Sequence, residues 1–258
     1  MEETKKSIAI LKARYPELCL IVGLNVLVMV SMNMIHGKSE SQGFARSLPL
    51  LFIVFVVSIL SIILNFGFQR SIYLHGTEHQ SPVTLLKIGK DFFWRMISVG
   101  IVITMFSFAI TWLIYRVTGP FTAGDIGFFE TAKEMPLLYH FYFAVASLIL
   151  IKPILLLGVL IIVLNCRVGQ AVQALKHFRL SAHKELIVIY CLFTSLSLFW
   201  ILLGSNAQTL SVRQSVLDCI QTMVSQITNM IVAIMAIRFV ASVQLAYNDP
   251  EEQTEPQA

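Results

Sequence analysis

His75, Glu78 and His79 stand in the spacing H-x-x-E-H. One class of zinc peptidases uses that spacing to hold a metal on two imidazoles, with the glutamate as general base. The chemistry needs a helix that presents both histidines on one face. Gly76 interrupts the motif, and Ser81-Pro82 follows it at once. No His, Asp or Glu inside an apolar segment offers an obvious third ligand. The stretch is therefore read as a polar turn between two helices, and no metal is expected.

The second unusual feature is Lys152-Pro153, which interrupts the longest apolar run of the chain. A lysine near a bilayer centre is costly and marks a functional site by default. Its usual counterpart would be a carboxylate, yet only Asp218, at the extreme edge of the last apolar segment, is on offer. The first reading is that the helix kinks at Pro153 or extends beyond the membrane, so that Lys152 snorkels toward the outer face or a watery crevice. The second is a role for Lys152 in binding a substrate or a lipid headgroup. Gln221, Ser225 and Asn229, on the polar face of the last segment, are its candidate companions in a cavity. Cys19, Cys166, Cys191 and Cys219 fall in or at the ends of apolar runs without paired spacing, so they read as small buried apolar residues. No nucleotide-binding glycine loop or nucleophile elbow is present. Neither a catalytic residue nor a cofactor is assigned.

These residues lie in a chain built for lipid. Of its 258 residues 56% are apolar and only 13% charged, with a mean hydropathy of +0.75. A soluble domain carries about 25% charged residues. Crossing a bilayer takes about 20 apolar residues in a helix. Six segments qualify: Leu18–Ile35, Leu48–Phe68, Met96–Tyr115, Leu137–Leu164, Leu186–Leu203 and Val216–Ile237. The sixth is interrupted by Gln221, Ser225, Gln226 and Asn229, which leaves five spans as the alternative. The first run is too long for a signal peptide and lacks a cleavage site, so it is expected to be retained. The fold expected is an all-α polytopic membrane bundle, one domain over residues 1–248, with a disordered acidic tail over 249–258.

Lys and Arg set the orientation. One side collects Lys5, Lys6, Lys12, Arg14, Arg70, Lys87, Lys90, Arg95, Arg167, Lys176, Arg179, Lys184 and Arg238. The other has Lys38, Arg46, Arg116, Lys133 and Arg213, a split of thirteen to five. Both termini are thus expected in the cytoplasm. Aromatic clusters fall where the interfaces should be: Phe92, Phe93 and Trp94 at one end of the third span, Trp112 and Tyr115 at the other. The stripes of Ser, Thr, Asn and Gly in the first three spans read as helix packing.

The basic connections are amphipathic. Ser81-Pro82 is an N-cap signal, and Val83–Trp94 after it reads as an interfacial helix feeding the third span. Val168–Lys184 repeats the theme, and Lys5–Tyr15, ended by Pro16, is a shorter case. Two basic hairpins, spans two–three and four–five, suit a weak duplication, though any six-span chain of this orientation has them. Lys87, Lys90, Arg95, Lys176, Arg179 and Lys184 are the residues expected to meet anionic lipid headgroups or a protein partner at the cytoplasmic face. No nucleic-acid partner is expected.

Two stretches carry a resemblance. Gly67-Phe-Gln-Arg70, leading through His75-Gly76 to Ser81–Trp94, is one. The other is Cys166-Arg-Val-Gly-Gln-Ala171-Val-Gln-Ala174-Leu-Lys176, continuing to Leu180-Ser181 and Lys184. Together they resemble a broad group of multi-span bacterial inner-membrane proteins of unassigned function. That group includes the membrane domain fused to some glycerophosphodiester phosphodiesterases. The chain departs from the pattern at His177-Phe178, where a serine is common, and no attached phosphodiesterase domain is expected. The resemblance implies a bacterial cytoplasmic membrane and a helical bundle, and no activity. The function expected is non-enzymatic: a scaffold, accessory subunit or regulator of membrane organisation. A transporter or lipid-handling protein with a cavity near Lys152 is the alternative.

Overall fold

A computed structural model describes residues 2–42, 48–118, 136–178, 184–192 and 212–248. The described residues form nine helices and no strand: α1 (Glu2–Ala13), α2 (Tyr15–Gln42), α3 (Leu48–His75), α4 (Pro82–Thr118), α5 (Pro136–Ile149), α6 (Ile151–Leu164), α7 (Val168–Leu175), α8 (residues 184–192) and α9 (Val212–Asn248). Four of them, α2, α3, α4 and α9, are long and apolar enough to cross a membrane. The chain is therefore an all-α protein of multi-pass membrane type. The fourth expected span is helical but divided between α5 and α6. Of the fifth, only the part within residues 184–192 is described. Arg179 and the tail over 249–258 lie outside the described residues.

Local chemistry explains the breaks. Pro16 falls in the first turn of α2, where its missing N–H costs nothing, and α1 ends just before it. At the start of α4 the Ser81 hydroxyl accepts the Thr84 N–H at 3.2 Å, and Pro82 is the first helical residue. The division between α5 and α6 is a proline break. Pro153 has no N–H to donate to the carbonyl four residues back, that of Ile149, and the backbone departs from helix at Leu150 (φ −89°, ψ 14°). The C-terminus of α6 is closed by Asn165 in the left-handed region, φ 48°, a conformation asparagine tolerates.

The stretch after Ser81 differs from expectation in one respect. It is helical and amphipathic, but it is the first three turns of α4 and not a separate element in the membrane plane. A helix of 37 residues is about 56 Å long, against an apolar bilayer core of about 30 Å. What holds those turns upright is the antiparallel α3–α4 crossing. A Cβ on Gly67 would overlap the Leu85 carbonyl, and one on Gly89 would overlap the Ile63 carbonyl. The two glycines let the backbones touch, and that contact outweighs any tendency of Val83–Trp94 to lie flat.

Two apolar clusters run through the bundle. One centres on α6, whose residues Leu155–Leu157 and Val159–Val163 are all buried, against Phe92 and Val99 of α4 and Val232, Ala236 and Val240 of α9. The other joins Leu11, Ile21, Leu64, Phe68, Leu85 and Ile234 from α1, α2, α3, α4 and α9. Large apolar side chains such as Phe52, Phe55, Met105 and Phe106 point outward instead. An apolar exterior on helices of this length suits lipid and would be a liability in water.

Candidate functional site

Polar side chains gather at one end of the bundle, where α1, the C-terminal ends of α3, α6 and α9, and the N-terminal turns of α2, α4 and α8 converge. At its centre lie Arg14 and Glu17, which are 0% and 4% exposed. Arg14 donates from Nε and Nη2 to Glu17 Oε1 at 3.2 and 3.1 Å, and its guanidinium stacks over Phe68, 5.0 Å from the ring centroid. Arg14 Nη1 finds no hydrogen-bond partner among the described residues. Glu17 in turn accepts the Gln80 backbone N–H at 2.9 Å and faces His79 Nδ1 at 3.1 Å. One buried carboxylate thus ties α1 and α2 to the loop between α3 and α4.

This places the histidine motif. Gly76 has φ +56° and the Glu78 N–H closes a turn on the His75 carbonyl, so the motif is a loop. His79 is occupied with Glu17. Among the described residues no three His, Cys, Asp or Glu side chains come together as a metal site.

Other cations at this end are also used internally. Arg70 donates to the Ile162 and Val163 carbonyls at 2.6 and 2.9 Å, satisfying the C-terminal turn of α6 and placing positive charge at the negative end of its dipole. Arg95, expected on the lipid-facing surface, is half-buried and donates to the Asn165 side chain at 3.0 Å. Arg238 holds Glu3 through two bonds, 2.8 and 3.4 Å, and the Thr4 hydroxyl donates to Glu185 at 3.2 Å. These contacts fasten α1 across α9 and α8.

The hydrogen bond and charge of Arg238 hold the Glu3 carboxyl below its ordinary 4.5, against a smaller opposing effect of burial. A depressed carboxylate contributes stability that is complete above the ordinary value and is lost as pH falls through the lowered one. We expect amide exchange in α1 to accelerate at pH values below the ordinary glutamate range. Arg238→Gln should weaken that acid-dependent step, leaving only the lesser hold of Lys6 on Glu3, while exchange in α6 stays unchanged.

Among the lysines expected to meet lipid or a partner, Lys87, Lys90, Lys176 and Lys184 are exposed and free of such use, as are Lys5 and Lys12 of α1. Lys87 and Lys90 share a face of α4 with Val83 and Trp94, at positions 83, 87, 90 and 94. Val83 is 75% exposed and Trp94 76%. Toward the other end of the same helix, Ile101, Val102, Met105 and Phe106 form an outward apolar surface. Trp94 therefore stands where apolar surface gives way to charge, with Lys90 about 6 Å and Lys87 about 10 Å beyond it along the axis.

The remaining candidates lie elsewhere. Lys152 is half-buried in the first turn of α6. Gln221 and Ser225 are half-buried on α9, and Asn229 is exposed. The Arg14–Glu17 pair escaped sequence reasoning. Its only sequence signal is an arginine three residues before a lone glutamate at the mouth of the first span. No protein-family model matches the chain, and no curated protein or solved structure is significantly similar to it.

Proposed function

We propose that the protein is a non-enzymatic membrane component, a scaffold or regulator of membrane organisation, that engages anionic phospholipid headgroups through α4 at its basic end. That end would face the cytoplasm of a bacterial cell, as the Lys/Arg distribution implies. The observation that carries the reading is a division of labour among cations. Arg14, Arg70, Arg95 and Arg238 bond to the protein itself, whereas Lys87 and Lys90 stand outward beyond a boundary tryptophan. Tryptophan settles at headgroup level, and a lysine one or two turns further out meets phosphate. Each such lysine contributes about 1 kcal/mol, a factor of about five in lipid preference.

The test is native mass spectrometry of the intact chain in nanodiscs that mix phosphatidylcholine and phosphatidylglycerol. Lys87→Glu with Lys90→Glu should lower the retained phosphatidylglycerol by at least about tenfold. Equal retention by the wild-type chain and the double variant would remove the lipid-binding role from α4.

A further inference from the structure

The helix end that Arg70 caps receives a second arginine. Arg70 donates from Nη1 to the Ile162 and Val163 carbonyls. Arg95 donates from its own Nη1 to the carbonyl and the side chain of Asn165, at 3.4 and 3.0 Å. Both guanidinium groups also lie over the ring of Phe92, 5.8 and 5.9 Å from its centroid. One buried ring and the last turn of one helix thus bring two cations together, one from α3 and one from α4.

The pair carries more charge and more donors than this helix end uses. The C-terminus of α6 offers about half a negative charge, and the arginines bring two positive ones. Asp91, one turn before Arg95 on α4, is exposed and bonds to neither of them. Each arginine spends only Nη1 on the protein. Its Nε and Nη2 make no hydrogen bond among the described residues, and neither edge is sealed from solvent. That edge is the side-on face with which a guanidinium grips two oxygens of one oxyanion.

One such edge is enough to fill the two oxygens of a carboxylate. Two edges suit a tetrahedral phosphate, which has oxygens for both. Arg95 follows Trp94, so the pair stands where the apolar surface of α4 gives way to charge, within reach of phosphate on a lipid or in solution. We infer that Arg70 and Arg95 together bind one phosphate group at the end of α6, each through its Nε and Nη2. The inference stands apart from the role of Lys87 and Lys90, which can fail without touching it.

The test uses the intact chain with ¹⁵N-labelled arginine in a maltoside detergent, which brings no phosphorus of its own. Arg70→Lys and Arg95→Lys assign the two Nε–H signals by NMR. Lysine keeps a donor for the α6 carbonyls and lacks the side-on edge. Inorganic phosphate is titrated in one series and phosphatidylglycerol in another, and both signals should move along one saturation curve. Saturation by inorganic phosphate identifies a free phosphate ligand; saturation by phosphatidylglycerol alone identifies a lipid headgroup. In either case Arg70→Lys should raise the midpoint read on Arg95 at least about tenfold, the lower end for hydrogen bonds to a charged group. Arg95→Lys should do the same to the midpoint read on Arg70, and decides alone where Arg70→Lys fails to fold. Signals indifferent to both additions, as they would be with a carboxylate of this chain already seated on the pair, would overturn the inference. So would a midpoint that replacing the other arginine leaves unchanged, since two arginines that bind separately do not make one site.

Discussion

Replacing Glu17 with alanine is expected to cost about 3–5 kcal/mol of stability, the loss found when one member of a buried ion pair is removed. The reason is the company Glu17 keeps. Among the described residues its carboxylate is the only anion bonded to Arg14, which is wholly buried and already has one guanidinium nitrogen without a partner there. The same carboxylate accepts the Gln80 N–H, which would be orphaned too. Thermal unfolding in a mild detergent should move down by roughly 10 °C. The Glu17→Ala, Arg14→Leu double variant should recover most of that loss, because no uncompensated charge stays behind. His79→Ala should have an effect below about 1 kcal/mol, since His79 is 57% exposed. Were Glu17→Ala and His79→Ala to cost the same, the buried carboxylate would not be the keystone of this end.

Gly89→Leu is expected to be the most damaging single change in the apolar part of the bundle. Even a Cβ at this position would overlap the Ile63 carbonyl oxygen and crowd the Gly67 nitrogen, and backbone atoms cannot swing aside as a side chain can. Gly158 makes the control. A Cβ there meets only the flexible end of the Met96 side chain, its methyl at 2.8 Å and its sulfur at 3.6 Å, which can move. Gly158→Ala should therefore be tolerated, within about 1–3 kcal/mol for overpacking, while Gly89→Leu should leave little folded protein after extraction. The readout is the folded fraction on size-exclusion chromatography in detergent. Equal yields from the two variants would mean that the α3–α4 crossing does not rely on close backbone approach.

The helical class and four of the six expected spans, those of α2, α3, α4 and α9, were legible because hydropathy reports what surrounds a helix. The caps were legible for a similar reason: Ser81-Pro82 and Pro16 act on their own backbone within one turn. The continuity of α4 was not. Val83–Trp94 has the composition of an interfacial helix, and only the glycines at 67 and 89, far apart in sequence, turn it into an extension of a span. Lys152-Pro153 announced a kink, and the break at Leu150 lies within a turn of it. The polar end was legible in its net charge and not in its pairing. Thirteen basic residues on one side look alike in a sequence. Which of them cap a helix, as Arg70 does, or grip a distant carboxylate, as Arg238 does, depends on contacts between residues up to 235 positions apart. The Arg14–Glu17 pair was hidden for the opposite reason. It is local, but only the approach of Phe68 and Gln80 makes it buried.

The central claim is that the outward lysines of α4 organise anionic lipid. The most direct measurement extracts the chain from its own membrane into polymer-bounded discs, without detergent, and compares the lipids of those discs with those of the bulk membrane. Discs enriched in anionic phospholipid, with the enrichment lost in Lys87→Glu, Lys90→Glu, are the predicted result. Discs whose lipids match the bulk membrane, whichever variant they hold, would contradict the claim.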